Sequence, residues 1–262
     1  AAAHRLTMDA KRAFVGIMLL VIFGIFLVQT DRLDTVTDVF AEVLPEQPPV
    51  EQAPVEAPEV VIEPLAESGL FDIESSLIKP NEVVLLLDAL PGTTTEPASK
   101  YDVKNFGSGW LDPDGNGCDA RNDTLKRDLT DVTFREGTHD CVVITGVLED
   151  PFTGETINFT KADASNVPID HMVPRSWAWK NGASTWSDEK LRAFANDPAN
   201  LTTVSRSANS SKGDDGPGSW LPSNADYRCV YVTRFIYLVD EWELTIDEGD
   251  RRAARRELAG CE

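Results

Sequence analysis

Between Pro45 and Pro64 the chain sets six prolines among Glu, Val and Ala residues, with no aromatic side chain. Proline removes a backbone donor and fixes φ, and such a composition has too little apolar area to offset the entropy of folding. The stretch predicts an extended, acidic spacer. It divides the 262 residues into a short N-terminal part and a body beginning near residue 80, which is long enough to bury a core. Residues 1–79 carry 5 basic and 13 acidic side chains, and residues 80–262 carry 19 and 31, within a formal net charge of −20. That sign excludes a protein that coats nucleic acid through a broad basic surface. A local exception runs from His171 to Lys212. There Arg175, Lys180, Lys190, Arg192, Arg206 and Lys212 outnumber Asp188, Glu189 and Asp197, a local charge of +3.

Upstream of the spacer, Lys11 and Arg12 precede Ala13 to Val28, sixteen residues without a charge. At about 1.5 Å per residue a helix here spans about 24 Å, short of a hydrocarbon core of about 30 Å. Snorkelling of Arg12 and the addition of Gln29 and Thr30 extend it. A cleaved secretory segment shows a small-x-small site directly after its apolar run; Gln29-Thr30-Asp31-Arg32-Leu33-Asp34 offers none. The expectation is a transmembrane anchor over residues 13–29, with a cleaved signal segment and a secreted body as the alternative. The basic flank makes residues 1–12 a short cytoplasmic tail and places the body outside. Residues 30–79 then form a disordered linker that opens with a brief amphipathic helix at Leu33 to Leu44.

The chemistry concentrates between Val167 and Asp214. Val167 to Pro174 is an apolar, strand-like run that places Asp170 beside His171; Asn200 to Val204 reads as a second strand and Ser205 to Lys212 as a short helix. A neutral imidazole at pH 7 can take a proton from water while that water attacks phosphorus. A lone histidine after an apolar strand can equally be structural. In an extended strand Asp170 points away from His171. Asn209 and Lys212, three residues apart, share a helix face, so both can face a scissile phosphate; the bland alternative for Lys212 is a solvated surface residue. An acid, an imidazole, a carboxamide and an amine gathered across two strands and a helix would make a phosphodiesterase site.

Asp170-His171-x-Val173-Pro174, then Asn200-Leu201, then Asn209-x-x-Lys212-Gly213-Asp214, resembles the HNH endonuclease signature of the ββα-metal (His-Me) finger. The wider segment runs from Leu85-Leu86-Leu87 through Asn116-Gly117-Cys118-Asp119-x-Arg121-Asn122-Asp123 to Cys261. It resembles the exported bacterial HNH nucleases, themselves similar to the C-terminal nuclease domain of modification-dependent restriction enzymes. The resemblance covers about residues 80–262. It implies that His171 is the general base, that a local bend brings Asp170 to the same site as a metal ligand, and that Asn200 braces the loop by holding the His171 backbone. Asn209 would add a second metal oxygen, and Arg121, with Arg206 beside it, would reach substrate phosphate. One carboxylate and one amide oxygen suit Mg²⁺, with Mn²⁺ as a substitute. Ser205 to Lys212 contains no histidine or cysteine for zinc.

Elsewhere the pattern predicts a helix from Glu82 to Leu90 capped by Asn81 and stopped by Pro91-Gly92, then a loop-rich stretch from Tyr101 to Asp131. Val142-Val143-Ile144 and Thr156 to Phe159 read as a β-hairpin. Ser187 caps a helix from Asp188 to Ala195, Asn224 one that runs to about Asp240, and Thr245 with Glu248 forms a capping box for a last helix to about Leu258. Four cysteines without Cys-x-x-Cys spacing, in a chain with an export segment, read as two disulfides rather than four buried thiols. Cys229 with Cys261 would staple the terminal helical hairpin, and Cys118 would pair with Cys141. Asp112-x-Asp114-x-Asn116-Gly117 with Asp123 imitates a calcium loop, but lacks the bidentate glutamate and the entering helix. The expected body is an α+β domain with an embedded ββα-metal finger, a nuclease acting on DNA or RNA, touching the membrane only through its N-terminal helix and implying no protein partner. A non-catalytic, calcium-binding, disulfide-bonded surface domain is the competing class.

Overall fold

The computed structural model describes residues 79–261. The expected tail, anchor and linker fall outside the described residues save Lys79; among the described residues no helix is long and apolar enough to cross a membrane.

The fold is α+β, and its side chains sort into two cores. The helical core is framed by α1 (Pro80–Ala89), α6 (Arg228–Glu241) and α7 (Glu248–Leu258). Helix α1 turns Val83, Leu86 and Leu87 inward and leaves Leu85 exposed. Its start differs from the expectation. Lys79 is the N-cap, without a side-chain bond, and Pro80 takes the first helical position, where a missing N–H leaves nothing unpaired; Asn81 lies already inside. Helix α6 fills the centre with Tyr231, Phe235, Ile236 and Val239, all fully buried. Asn224 caps a 3-10 turn, Ala225–Tyr227, that leads into α6 rather than the helix itself. The cap of α7 is Asp247, whose carboxylate accepts from Gly249 N and Asp250 N. Thr245 instead donates its hydroxyl to Asn181 O at 3.1 Å, so the expected capping box does not form. Cys229 and Cys261 are bonded as expected and close this hairpin.

The second core lies under an antiparallel sheet of order β1-β2-β3: Leu129–Phe134, Val143–Glu149 and Thr156–Thr160. The hairpin β2–β3 is the one the sequence predicts. Strand β1 and the helix before it, α2 (Ala120–Asp128), correct the loop-rich reading of Tyr101 to Asp131. Helix α2 lacks an apolar stripe, and a polar plug holds it: buried Asn122 accepts from Val143 N at 3.1 Å, and Asp119 caps by accepting from Asn122 N. Leu125, Leu129, Val143, Leu148 and Phe159 fill this core. The Cys118–Cys141 disulfide ties the entry of α2 to the entry of β2.

Between the cores runs a ββα unit. Strands β4 (Ile169–His171) and β5 (Leu201–Thr203) pair antiparallel with Asp170 opposite Thr202 and His171 opposite Leu201. Helices α3 (Arg175–Lys180) and α4 (Asp188–Asn196) occupy the long connection, and α5 (Arg206–Lys212) follows β5. Ser187 caps α4, accepting from Lys190 N, and Ser205 caps α5, accepting from Ala208 N. Gly213, at φ +53°, ends α5 directly after Lys212 by donating to Asn209 O. Ile169 and Leu201 belong to the sheet-side core, whereas Met172, Val173, Val204 and Ala208 belong to the helical one. The unit thus stitches the two cores together, and the predicted site residues lie on that seam.

Candidate active site

His171 stands at the end of β4, and its ring reaches α4, where Nε2 lies 2.9 Å from Ala195 O. A carbonyl oxygen can only accept, so Nε2 carries the proton and Nδ1 keeps a free lone pair. Burial, then the nearby Arg175 charge, pushes the imidazole down to about 3. It is neutral at physiological pH, the form that can act as a base. The ring opens onto a cleft of about 240 Å³ lined by Phe106, Trp110, Ile169, His171, Arg175 and Ala195. The Trp110 ring plane is within 13° of the imidazole plane, with centroids 6.2 Å apart.

Asn200 braces the loop that leaves His171. Its Oδ1 accepts from Val173 N at 2.8 Å and its Nδ2 donates to Val173 O at 3.3 Å, while its own carbonyl accepts from Met172 N at 2.7 Å. The brace acts on Met172 and Val173, one and two residues past the imidazole, and the Met172 N–H it holds belongs to the peptide group that His171 shares with Met172. Arg234, reaching from α6, donates to Ala199 O and Leu201 O and fixes the loop that carries Asn200.

Asp170 faces the other way, towards α5. Lys212 Nζ donates to Asp170 Oδ2 and to His171 O, each at 2.7 Å. Burial pushes the Asp170 carboxyl up and Lys212 pulls it back. The expectation that Lys212 faces a phosphate gives way to a wholly buried ammonium, because the last turn of α5 packs directly under β4. Asn209, one turn earlier on the same helix face, is half-buried, and its carboxamide makes no hydrogen bond among the described residues.

The predicted phosphate arginines are engaged elsewhere. Arg121 donates to Ala164 O and Val167 O, and Arg206 donates to Ser165 O at 3.0 Å. Both hold the segment that delivers the chain into β4. Each guanidinium thus has a backbone carbonyl to hold, Arg121 through one terminal nitrogen and the exposed Arg206 through Nε alone. Arg175, which entered the sequence reading only as a charge, sits in the cleft instead. The signal that could have found it is Pro174, which makes Arg175 the first helical residue just past His171.

The resemblance names Asp170 and Asn209 as oxygen donors for a metal, and of these the Asp170 carboxylate is already held by Lys212. Among the described residues no group of three or more His, Cys, Asp or Glu side chains could hold a metal ion. The donors are hard oxygens and fit a cation that brings most of its own water, such as Mg²⁺ or Mn²⁺. The Asp112–Asp123 loop is closed by its own bonds: Asp112 accepts from Asn116 N and Gly117 N, and Asn116 donates to Asp114 and Asp123.

The sequence of residues 119–253 matches the family described as GmrSD restriction endonucleases, C-terminal domain. The chain is also similar to a protein of Arthroderma benhamiae described as an uncharacterized secreted protein. The two are 34% identical over 178 residues, which is 67% of this chain and 83% of the relative. No solved structure matches the chain.

Proposed function

This chain belongs to the family of GmrSD restriction endonucleases, C-terminal domain, and on that footing we propose that it is an endonuclease hydrolysing nucleic-acid phosphodiester bonds outside the cytoplasm. DNA is the foremost substrate and RNA the second. The observation that carries the reading is the hydrogen bond from His171 Nε2 to Ala195 O. It fixes the tautomer, leaving Nδ1 as an acceptor for a water proton in a cleft that also holds Arg175.

In this reading His171 takes the proton from the attacking water, and Asn200 keeps the loop after it from drifting. Asp170 and Asn209 would hold a Mg²⁺ or Mn²⁺ ion, which when bound supplies charge stabilisation for the phosphate and the leaving oxygen. Lys212 keeps the Asp170 carboxylate in one orientation. Lys212 also neutralises Asp170, so a divalent ion there finds little protein charge and is held mainly together with substrate phosphate. The two disulfides, and a relative described as secreted, support an oxidising, exported location; residues 13–29 are read as the anchor or signal segment that leads there.

The test is plasmid cleavage by the full chain with Mg²⁺, beside His171→Ala. The substitution should cost about 10² to 10⁴ in rate and leave the circular dichroism unchanged. A pure His171→Ala preparation that keeps most of its activity would remove the imidazole from the reaction.

A further inference from the structure

We propose that Arg175 and Arg192 form a two-point phosphate track along the Phe106–Gly109 wall, Arg175 binding the phosphodiester cut at His171 and Arg192 binding the neighbouring phosphate of the same strand. This deepens the nuclease reading and rests on it. Arg175 is half-buried, lines the His171 cleft, and makes no hydrogen bond or ion pair among the described residues. Its charge bears on His171, Asp170 and Tyr101, which places it among the groups of the site. A half-buried guanidinium with its fork of donors unmatched is suited to a planar pair of anionic oxygens. The cleft lining contains one other ionisable side chain, the neutral imidazole, and no carboxylate to compete.

A second cleft, of about 100 Å³, adjoins the first and shares Phe106, Gly107 and Gly109 with it; Arg192 lines it, with Leu111 and Asn196. The shared wall can be this thin because of its glycines. A Cβ on Gly107, at φ +82°, would come within 3.0 Å of Arg192 Cγ. Arg192 projects from α4, the helix that also supplies Ala195 O to His171. One rigid element therefore sets both the base and the second cation. A repeating polyanion can use both clefts, and a lone phosphodiester can use only one. The chemical class selected is a polynucleotide strand, in preference to small phosphodiesters.

The experiment compares wild type, Arg175→Gln, Arg175→Lys and Arg192→Gln in the full chain with Mg²⁺, on an oligonucleotide and on bis(p-nitrophenyl) phosphate. Arg175→Gln should lower kcat/KM by about 10²-fold on both substrates, with Arg175→Lys recovering part of the loss. Arg192→Gln should raise KM about tenfold on the oligonucleotide, without change in kcat, and do nothing to the small diester. In a His171→Ala background each glutamine variant should reduce the salt slope of single-strand binding by about 0.7, a readout that a purely structural arginine would not move. Wild type that cuts while both variants match it in rate and salt slope overturns the track and leaves the nuclease standing. An equal loss on the small diester for Arg192→Gln overturns the assignment of the second point. A chain that neither cuts nor binds overturns both readings.

Discussion

The Lys212 ammonium is wholly buried and lies 2.7 Å from Asp170 Oδ2. This is the ion pair around which the seam of the molecule closes, and it joins the only carboxylate of β4 to the last turn of α5. Truncating one member leaves the other charged and out of water. Lys212→Met should therefore cost about 3 to 5 kcal/mol in urea denaturation. Adding Asp170→Leu to it should restore a large part, because the pair is replaced rather than broken. A single Lys212→Met variant losing under about 1 kcal/mol would show that the pair does not hold the seam.

The disulfides close loops of 23 and 32 residues. In the chain-entropy model each contributes about 3 to 4 kcal/mol. Non-reducing peptide mapping of exported protein should recover Cys118 with Cys141 and Cys229 with Cys261. The double variant Cys229→Ser, Cys261→Ser should lower the urea midpoint accordingly. Four thiols open to alkylation in the native protein would contradict both the pairing and the compartment.

Metal removal should abolish cleavage, and about millimolar Mg²⁺ or Mn²⁺ should restore it, since the proposed donors are oxygens. Zinc should not restore it, because no sulfur or second imidazole is offered. Calorimetric titration of Mg²⁺ should be weak without nucleic acid and tighten with a non-cleavable strand present. Recovery with zinc alone would discard the oxygen-ligand site.

Asp250 gives stability a pH dependence of its own. Its Oδ2 accepts from Trp177 Nε1 and its Oδ1 from Gly218 N, both at 2.7 Å, and only 5% of the residue is exposed. Burial, with Asp247 beside it, raises the carboxyl to about 6, against about 3.9 in an unfolded chain. Below pH 4 both states hold the proton. Between about 4 and 6 the folded state keeps it and the unfolded state does not, so stability falls as pH rises, and above 6 the loss is complete. The loss should amount to about 1 to 3 kcal/mol; the Asp247 carboxyl, held below its ordinary value, changes its contribution below this window. Urea midpoints at pH 4.5 and 7 should differ in wild type and converge in Asp250→Asn; parallel behaviour of the two proteins would refute the assignment.

How much of this was legible in the sequence depended on whether a residue's partner was local. Ser187 and the helix it caps, the β2–β3 hairpin and the strand at His171 follow from spacing and short-range chemistry. The two disulfides, whose cysteines lie 23 and 32 residues apart, follow from an even cysteine count and the helical hairpin that one of them closes. Helix α2 was missed because Asn122 and Thr124 are buried where an apolar stripe would have announced it. Its stabilising bond, to Val143 N, comes from a strand 21 residues away. The caps failed for a similar reason. Thr245 suits a capping box locally, but Asn181 O, 64 residues earlier, claims its hydroxyl. Arginines were the hardest to place. Arg121 and Arg206 meet carbonyls 46 and 41 residues away, whereas Arg175 meets none among the described residues, and the one local sign that sets it apart is Pro174, which starts a helix at Arg175.

Each disulfide closes its loop on one side of the ββα unit, Cys118–Cys141 beside the sheet and Cys229–Cys261 within the terminal helices. Neither covalent bond crosses the seam. Among the bonds that span it are the lysine–aspartate pair, the asparagine brace and the Arg234 bonds, gathered around His171, and the bonds of Asn224 and Ser223 to the β2–β3 turn. The candidate site is thus part of the mortar between two halves that are each tied shut. On heating, the halves cannot part without dismantling the candidate site, so the proposed cleavage would report directly on whether the molecule is whole.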